Sequence, residues 1–323
     1  TGWITTKEVL DYETKNTFNI IIVAADGGNP PNVVTHPFQI KVNDLNDEAP
    51  NFGLYNMTFY IEENVQIGAV VGMVKADDKD AGENGRVSYY IIAGNIFGLF
   101  AVDHITGQIT TIREVDYEEA SSHSVVIKAV DNSISNPKSN SISVSIHVID
   151  LNDNAPIFDY DPLFLKVREN SGIGQIVYIF TATDADSGPN GTVSYQIQNL
   201  SAAGYFALDQ TNGQLKVSQV IDYETVQDIS LVVKAFDGAP NPQSQMVTTL
   251  TVMIIILDEN DNAPIFQNIG TLQVSEDEAI GFLVASLIAV DIDSNVNNSG
   301  NNVVSYSVLS GNKDGMFALN TKT

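Results

Sequence analysis

Nine residues at 150–158, DLNDNAPIF, set Asp150, Asn152, Asp153 and Asn154 beside an Ala-Pro and two apolar side chains. Carboxylate and amide oxygens at this density are the ligands of a hard divalent cation. They are also turn formers in their own right, so one copy alone says little. The pattern returns as DLNDEAPNF at 44–52 and DENDNAPIF at 258–266. Phe52, Phe158 and Phe266 stand 106 and 108 residues apart, which makes the chain periodic.

Further acidic signatures keep the same period. DYE occurs at 11–13, 116–118 and 222–224, and EEN at 62–64 is matched by REN at 168–170 and SED at 275–277. ADDKDAGENGRVSY at 76–89 aligns with ATDADSGPNGTVSY at 182–195, and AVDIDSNVNNSGNNVVSY at 289–306 is a third copy with four extra residues. AADGG at 24–28, AVDNS at 129–133 and AFDGA at 235–239 also align. At the junction of the two whole repeats the acids are Glu63, Asp116, Glu118, Asp150, Asp153, Asp184, Asp186 and Asp237. Gathered at the ends of two sandwiches, eight carboxylates repel strongly. Ca²⁺ relieves this, because it takes six to eight oxygens. About three ions would offset most of the charge, with Asn152 and main-chain carbonyls completing the ligands.

The elements that hold these residues read as strands. SISVSIHV at 141–148 alternates strictly, putting Ile142, Val144, Ile146 and Val148 on one face. HSVVIKAVD at 123–131, SLVVKAFD at 230–237 and LTVMIIIL at 250–257 are rich in apolar and β-branched residues. Gly, Asn, Asp and Pro break the runs at short intervals, and no stretch gives a long amphipathic helix. About seven short strands in roughly 100 residues predict an all-β chain of tandem Greek-key β-sandwiches.

Composition narrows the function. The chain has 323 residues, 40 Asp and Glu against 15 Lys and Arg, and a net charge of −25. Without a basic patch nucleic acid is not expected. With 43% hydrophobic residues the acids are not those of a disordered tail. There are no cysteines and four histidines, which argues against zinc or copper. Lack of cysteine leaves the redox compartment open, since a large sandwich can stand on its core alone. No run of 18 apolar residues occurs, so this stretch does not span a membrane as a helix. No signal peptide opens the chain, and the ends read as cut points. The expected division is the second half of a repeat at 1–50, whole repeats at 51–156 and 157–264, and the first half of a repeat at 265–323.

With these motifs in order and in repeated copies, the chain resembles tandem cadherin repeats over essentially its whole length. The uninterrupted, cysteine-free repeats look like a protocadherin or a Fat- or Dachsous-type member. The resemblance implies seven-stranded, immunoglobulin-like sandwiches in a rod, with DLNDN as the calcium linker and APIF leading into the next sandwich. It implies three calcium sites around 150–154. The first is built from Glu63, Asp116, Glu118 and Asp153. The second shares Glu63, Glu118 and Asp153 and adds Asp150, the Leu151 carbonyl and Asp186. The third uses Asn152, the Asn154 carbonyl, Asp184, Asp186, the Asn190 carbonyl and Asp237. The 258 junction would use Glu169, Asp222, Glu224, Asp258, Glu259, Asn260, Asp261, Asn262, Asp291 and Asp293. Its insert puts Asn301 where Asn190 sits, and its top-loop Asp would lie beyond residue 323. The 44–48 junction would use Asp11, Glu13, Asp44, Leu45, Asn46, Asp47, Glu48, Asp78, Asp80, Asn84 and Asp131. Here the base Glu would lie upstream, and Glu48 replaces an Asn whose carbonyl is the expected ligand. Asp26 would serve the preceding junction.

The implied function is calcium-dependent, extracellular cell–cell adhesion at the plasma membrane. The partners would be cadherin-family proteins on the same or an opposing cell, homophilic or heterophilic, with the membrane anchor outside this stretch. A calcium-stiffened stalk without a direct adhesive role is the alternative. A carboxylate-pair glycosidase is rejected, because one active site does not require the same acids in every repeat. DADSGPNG at 184–191 is no EF-hand loop, since Tyr195 stands at the twelfth position. Trp3 aligns with Gln108 and Gln214 in mid-repeat and reads as a surface or packing aromatic. Sequons at Asn56, Asn190, Asn199 and Asn297 are candidate glycosylation sites, with Asn190 doubtful inside a calcium loop. His36, His104, His123 and His147 are scattered, and none reads as catalytic.

Overall fold

The structure is a computed structural model that describes residues 2–160, 163–199, 204–267, 270–294 and 300–320. Every regular element among the described residues is a β-strand. The chain divides into two compact units, Thr1–Leu151 and Asn152–Thr323. The sequon at Asn297 lies outside the described residues.

The first unit opens with the antiparallel pair β1 (Thr17–Ala25) and β2 (Val33–Lys41). Seven strands follow: β3 (Asn56–Glu62), β4 (Val70–Met73), β5 (Val87–Gly94), β6 (Phe100–Val102), β7 (Gln108–Thr111), β8 (Ser122–Asp131) and β9 (Ser139–Ile149). They form a four-stranded sheet in the order β3-β9-β8-β5 and a three-stranded sheet in the order β4-β7-β6. The pair β3–β9 is parallel while the other pairings are antiparallel. This is the seven-stranded sandwich the sequence predicts.

Alternation decides which residues enter its core. Ile142, Val144, Ile146 and Val148 of β9 are buried, and Ser141, Ser143 and Ser145 face out. On β8, Val125, Ile127 and Ala129 point inward. Leu99, Phe100, Ile109 and Val115 close the same cluster. Each large aliphatic or aromatic side chain taken fully out of water contributes about 1.5–3 kcal/mol.

The second unit repeats the plan. It runs through β10 (Ile157–Phe158), β11 (Leu163–Arg168), β12 (Ile176–Ile179), β13 (Ala182–Thr183), β14 (Ser194–Ile197), β15 (Phe206–Leu208), β16 (Gln214–Val217), β17 (Asp228–Phe236) and β18 (Val247–Leu257). The sheets are β11-β18-β17-β14 and β12-β16-β15, with β10 on β13, and β11–β18 is again the parallel pair. LTVMIIIL falls within β18, and Leu250, Val252, Ile254 and Ile256 enter the core beside Phe180, Phe206, Leu215 and Leu231. A short pair, β19 (Ile265–Phe266) with β20 (Ala289–Val290), completes the unit. Trp3 is 88% exposed. Among the described residues no helix is long and apolar enough to cross a membrane.

Candidate metal centres

Glu63 and Glu169, the acids of EEN and REN, are 1% exposed. Each is held by two backbone donors. Glu63 accepts the N–H of Leu151 and of Tyr117, both at 2.7 Å. Glu169 accepts the N–H of Glu259 at 2.6 Å and of Tyr223 at 2.8 Å. The next residue explains the motif. Asn64 and Asn170 have φ of 57° and 54°, a left-handed conformation that Asn tolerates well. In the tight loops ENG and PNG, glycine is required. A Cβ on Gly85 would lie 1.8 Å from the Asp80 carbonyl oxygen, and one on Gly191 would lie 2.0 Å from that of Asp186.

In the second unit the stretch 258–262 draws acids from four places. Oxygens of Glu169, Glu224 and Asp258 lie within 4.8 Å of one another, as do those of Glu224, Asp261 and Asp293. Glu224 therefore belongs to both groups. Asp258 accepts the Ser294 N–H at 2.9 Å and the Asn301 amide at 2.5 Å. Asp291 accepts the Asp293 N–H at 3.1 Å, and Asp293 takes the Asn262 amide at 2.8 Å. Asp222 lies outside both groups, bonded to the Thr225 hydroxyl that chiefly lowers its carboxyl. Glu259 points to Arg168 at 3.4 Å, and Asn260 is exposed.

In the first unit the stretch 44–48 brings oxygens of Glu13, Asp44 and Asp80 within 4.8 Å. Asp44 accepts the Ala81 N–H at 3.2 Å and the Asn84 amide at 2.7 Å, the pattern of Ser294 and Asn301 at Asp258. Asn46 donates to Asp131 at 3.1 Å, and Glu48 N–H to Asp80 at 3.3 Å. Asp78 accepts the Asp80 N–H at 3.0 Å. Asp11, Leu45 and Asp47 stand outside the three-acid group: Asp11 binds Thr14, and Leu45 is 72% exposed.

The ligand set named for 150–154 divides between the units. In the first, oxygens of Glu63, Asp116 and Glu118 lie within 4.8 Å, and Asp150 and Leu151 directly follow β9. In the second, Asn152 donates to Asp237 at 3.0 Å, and Asn154 donates to Asp153 and Asp186, each at 2.8 Å. Asp184 and half-buried Asn190 lie in the loop before β14. Asp131 and Asp237 accept two backbone N–H groups each across their loops, as Asp26 does from Gly28 and Asn32.

The electrostatics are strained where acids converge. Burial pushes Glu224 up to about 7, helped by its hydrogen bond to Asp222 and the charge of Glu169. Burial also raises Asp80, against the Glu48 N–H and with the charges of Asp78, Asp44 and Asp47. Buried oxygens of Asn46, Asp78, Asn152 and Glu224 accept no hydrogen bond. Buried acceptors without a donor are rare and costly. A donor set of this kind, all hard oxygen, fits Ca²⁺.

Three tyrosines were not singled out from the sequence. The hydroxyls of Tyr89, Tyr195 and Tyr306 accept the N–H of Ala76, Ala182 and Ala289, each at 2.9 Å. Each bond fixes the strand just before an acidic loop. The signal was visible as the SY that closes every copy of that motif.

Known proteins carry the same pattern. The Cadherin domain family model matches residues 57–149 and 164–256, more than half the chain. This chain belongs to the cadherin family. It is 34% identical over 352 residues to Protein dachsous of Drosophila melanogaster and 33% identical over 324 residues to Protocadherin Fat 4 of Homo sapiens. Each match covers 100% of this chain but only 10% and 6% of those proteins. Among solved structures, mouse Cadherin-23 EC22-24 is 29% identical with a TM-score of 0.74, covering 83% of this chain and 84% of that one. The Protocadherin gammaB7 EC3-6 cis-dimer structure is 28% identical with a TM-score of 0.76, covering 98% and 77%. The family is one of adhesion proteins, not of enzymes.

Proposed function

We propose that this cadherin segment is a calcium-clamped array in the extracellular part of a membrane-anchored adhesion protein. The observation that carries the reading is Glu224. Its carboxylate is shared by two groups of acids, and one of its buried oxygens accepts no hydrogen bond. A carboxylate so placed fits a bridge between two cations. The ligand sets named from the sequence would bind about three Ca²⁺ per junction. Repeats bounded at 51–156 and 157–264 would be clamped to each other and to the flanking half-repeats. Without calcium the acids repel and the junctions loosen. With calcium, binding is coupled to order.

The partners follow from the relatives. One structural neighbour is a protocadherin cis-dimer, which supports cadherin-family proteins on the same or an opposing cell as partners. Exposed Asn56 on β3 suits an extracellular glycosylation site.

Calorimetric calcium titration with parallel small-angle scattering tests this. Wild type should bind several ions per chain and extend relative to the chelated form. Glu224→Gln should lose about two ions and part of the extension. Scattering that ignores calcium would end the clamp reading. Bead aggregation, using the chain fused to a membrane-distal display tag, separates adhesion from a passive stalk: calcium-dependent aggregates support adhesion.

A further inference from the structure

The repeats serve as controls for one another: the junction at 44–48 differs from both others at two linked positions and from the 150–154 junction at a third. Asn154 and Asn262 close their acidic stretches by donating amide hydrogens to two carboxylates each, Asp153 and Asp186, and Asp261 and Asp293. Glu48 stands at that position in the first copy and cannot donate; it adds a carboxylate instead. Lys79 lies 3.1 Å from Glu48, where the other copies have Ala185 and Ile292.

Lys138 is the third difference. Its N–H donates to Asp131 at 2.8 Å, as that of Met246 donates to Asp237 at 2.6 Å. Asn46 donates to the Asn136 carbonyl and Asn152 to the Ser244 carbonyl, both at 2.6 Å. The two loops thus close through the same hydrogen bonds, although the second is two residues longer. Lys138 Nζ reaches across and donates to the Asp47 carbonyl. Met246 has no hydrogen to donate. An ammonium therefore sits at the linker that the proposed calcium sites surround.

We infer that Lys138 is a resident counter-cation and tether. It holds the 44–48 linker to its repeat when calcium is absent, with Lys79 offsetting Glu48, so this junction is the least calcium-dependent in the chain. The exposed Lys79–Glu48 pair contributes little alone. The charge-assisted bond from Lys138 to the main chain carries the effect. The inference rests on the calcium reading above.

Hydrogen exchange of the whole chain by mass spectrometry, with calcium and with chelator, tests both separately. In chelator, wild type should protect 44–48 more than 258–262. Lys138→Met should raise exchange at 44–48 about tenfold, the equilibrium change expected for roughly 1.4 kcal/mol. Met246→Lys should lower exchange at 152–154, which guards against a Lys138 variant that merely misfolds. With calcium all three proteins should coincide. If Lys138→Met exchanges like wild type in chelator, the tether is wrong. If calcium slows exchange nowhere, including 258–262, the calcium reading fails and the inference falls with it.

Discussion

The residue scale is set by carboxylates forced together. Glu224 keeps its proton up to about 7 because burial and nearby acids oppose its charge. An unfolded chain releases that proton near the ordinary value of 4.5. Between these pH values the native state binds more protons than the unfolded one, so in chelator this group costs stability as pH rises from 4.5 toward 7. Calcium bound there as proposed would have to displace the same proton. Apparent affinity at 258–262 should fall about fivefold from pH 7 to pH 6, with about one proton released per binding event at pH 6. Calorimetry in buffers of different ionisation enthalpy measures that proton; no release at pH 6 would remove Glu224 from the ligands. Much at this scale was legible in the sequence, because identical acids recurring in register select against chance turns. The signature residues Glu13, Asp44, Asp80, Glu169, Asp258 and Asp293 do converge in space. Lys138 was not legible: a lysine in the loop ISNPKS carries no repeat signal, and only three dimensions bring its amine to Asp47.

At the scale of elements, period-two alternation was the readable part. Ile146 is fully buried on β9 while its neighbour Ser145 faces out. Ile146→Ala should cost about 2–5 kcal/mol, and Ser145→Ala less than about 0.5 kcal/mol. The two cores share no residue, so calorimetry of Ile146→Ala should shift one unfolding transition and leave a second in place. Pairing partners were less legible. Between the end of β3 at Glu62 and the start of β9 at Ser139 lie 76 residues, and side-chain pattern names a face and not a neighbour. The tyrosine hydroxyl bonds were hidden for a related reason: SY reads as strand, and its polar tip finds an N–H 13 residues upstream only after the sheets stack. Tyr195→Phe should cost about 1 kcal/mol and weaken calcium binding through Asp184 and Asp186, read by thermal melts and titration.

For the whole molecule, a net charge of −25 sets the response to solvent. Self-repulsion destabilises a compact acidic chain, and salt screens it over about 10 Å at 0.1 M. In chelator, raising NaCl from about 0.05 to about 0.5 M should raise the melting temperature; with calcium bound the rise should shrink, because the densest charge is already neutralised. An equal salt effect in both conditions would place the repulsion elsewhere on the surface. The parallel ladder between β3 and β9 has a further consequence, for mechanics. It aligns Asn56 through Glu62 with Ser143 through Ile149, and β11 lies beside β18 in the same sense. Tension on the chain enters this sandwich at the start of β3 and leaves at the end of β9. Pulled apart in that geometry, parallel neighbours slide past one another in shear. Their hydrogen bonds then share the load together and do not open one by one like a zip, so each sandwich resists the traction that adhesion between moving cells would impose.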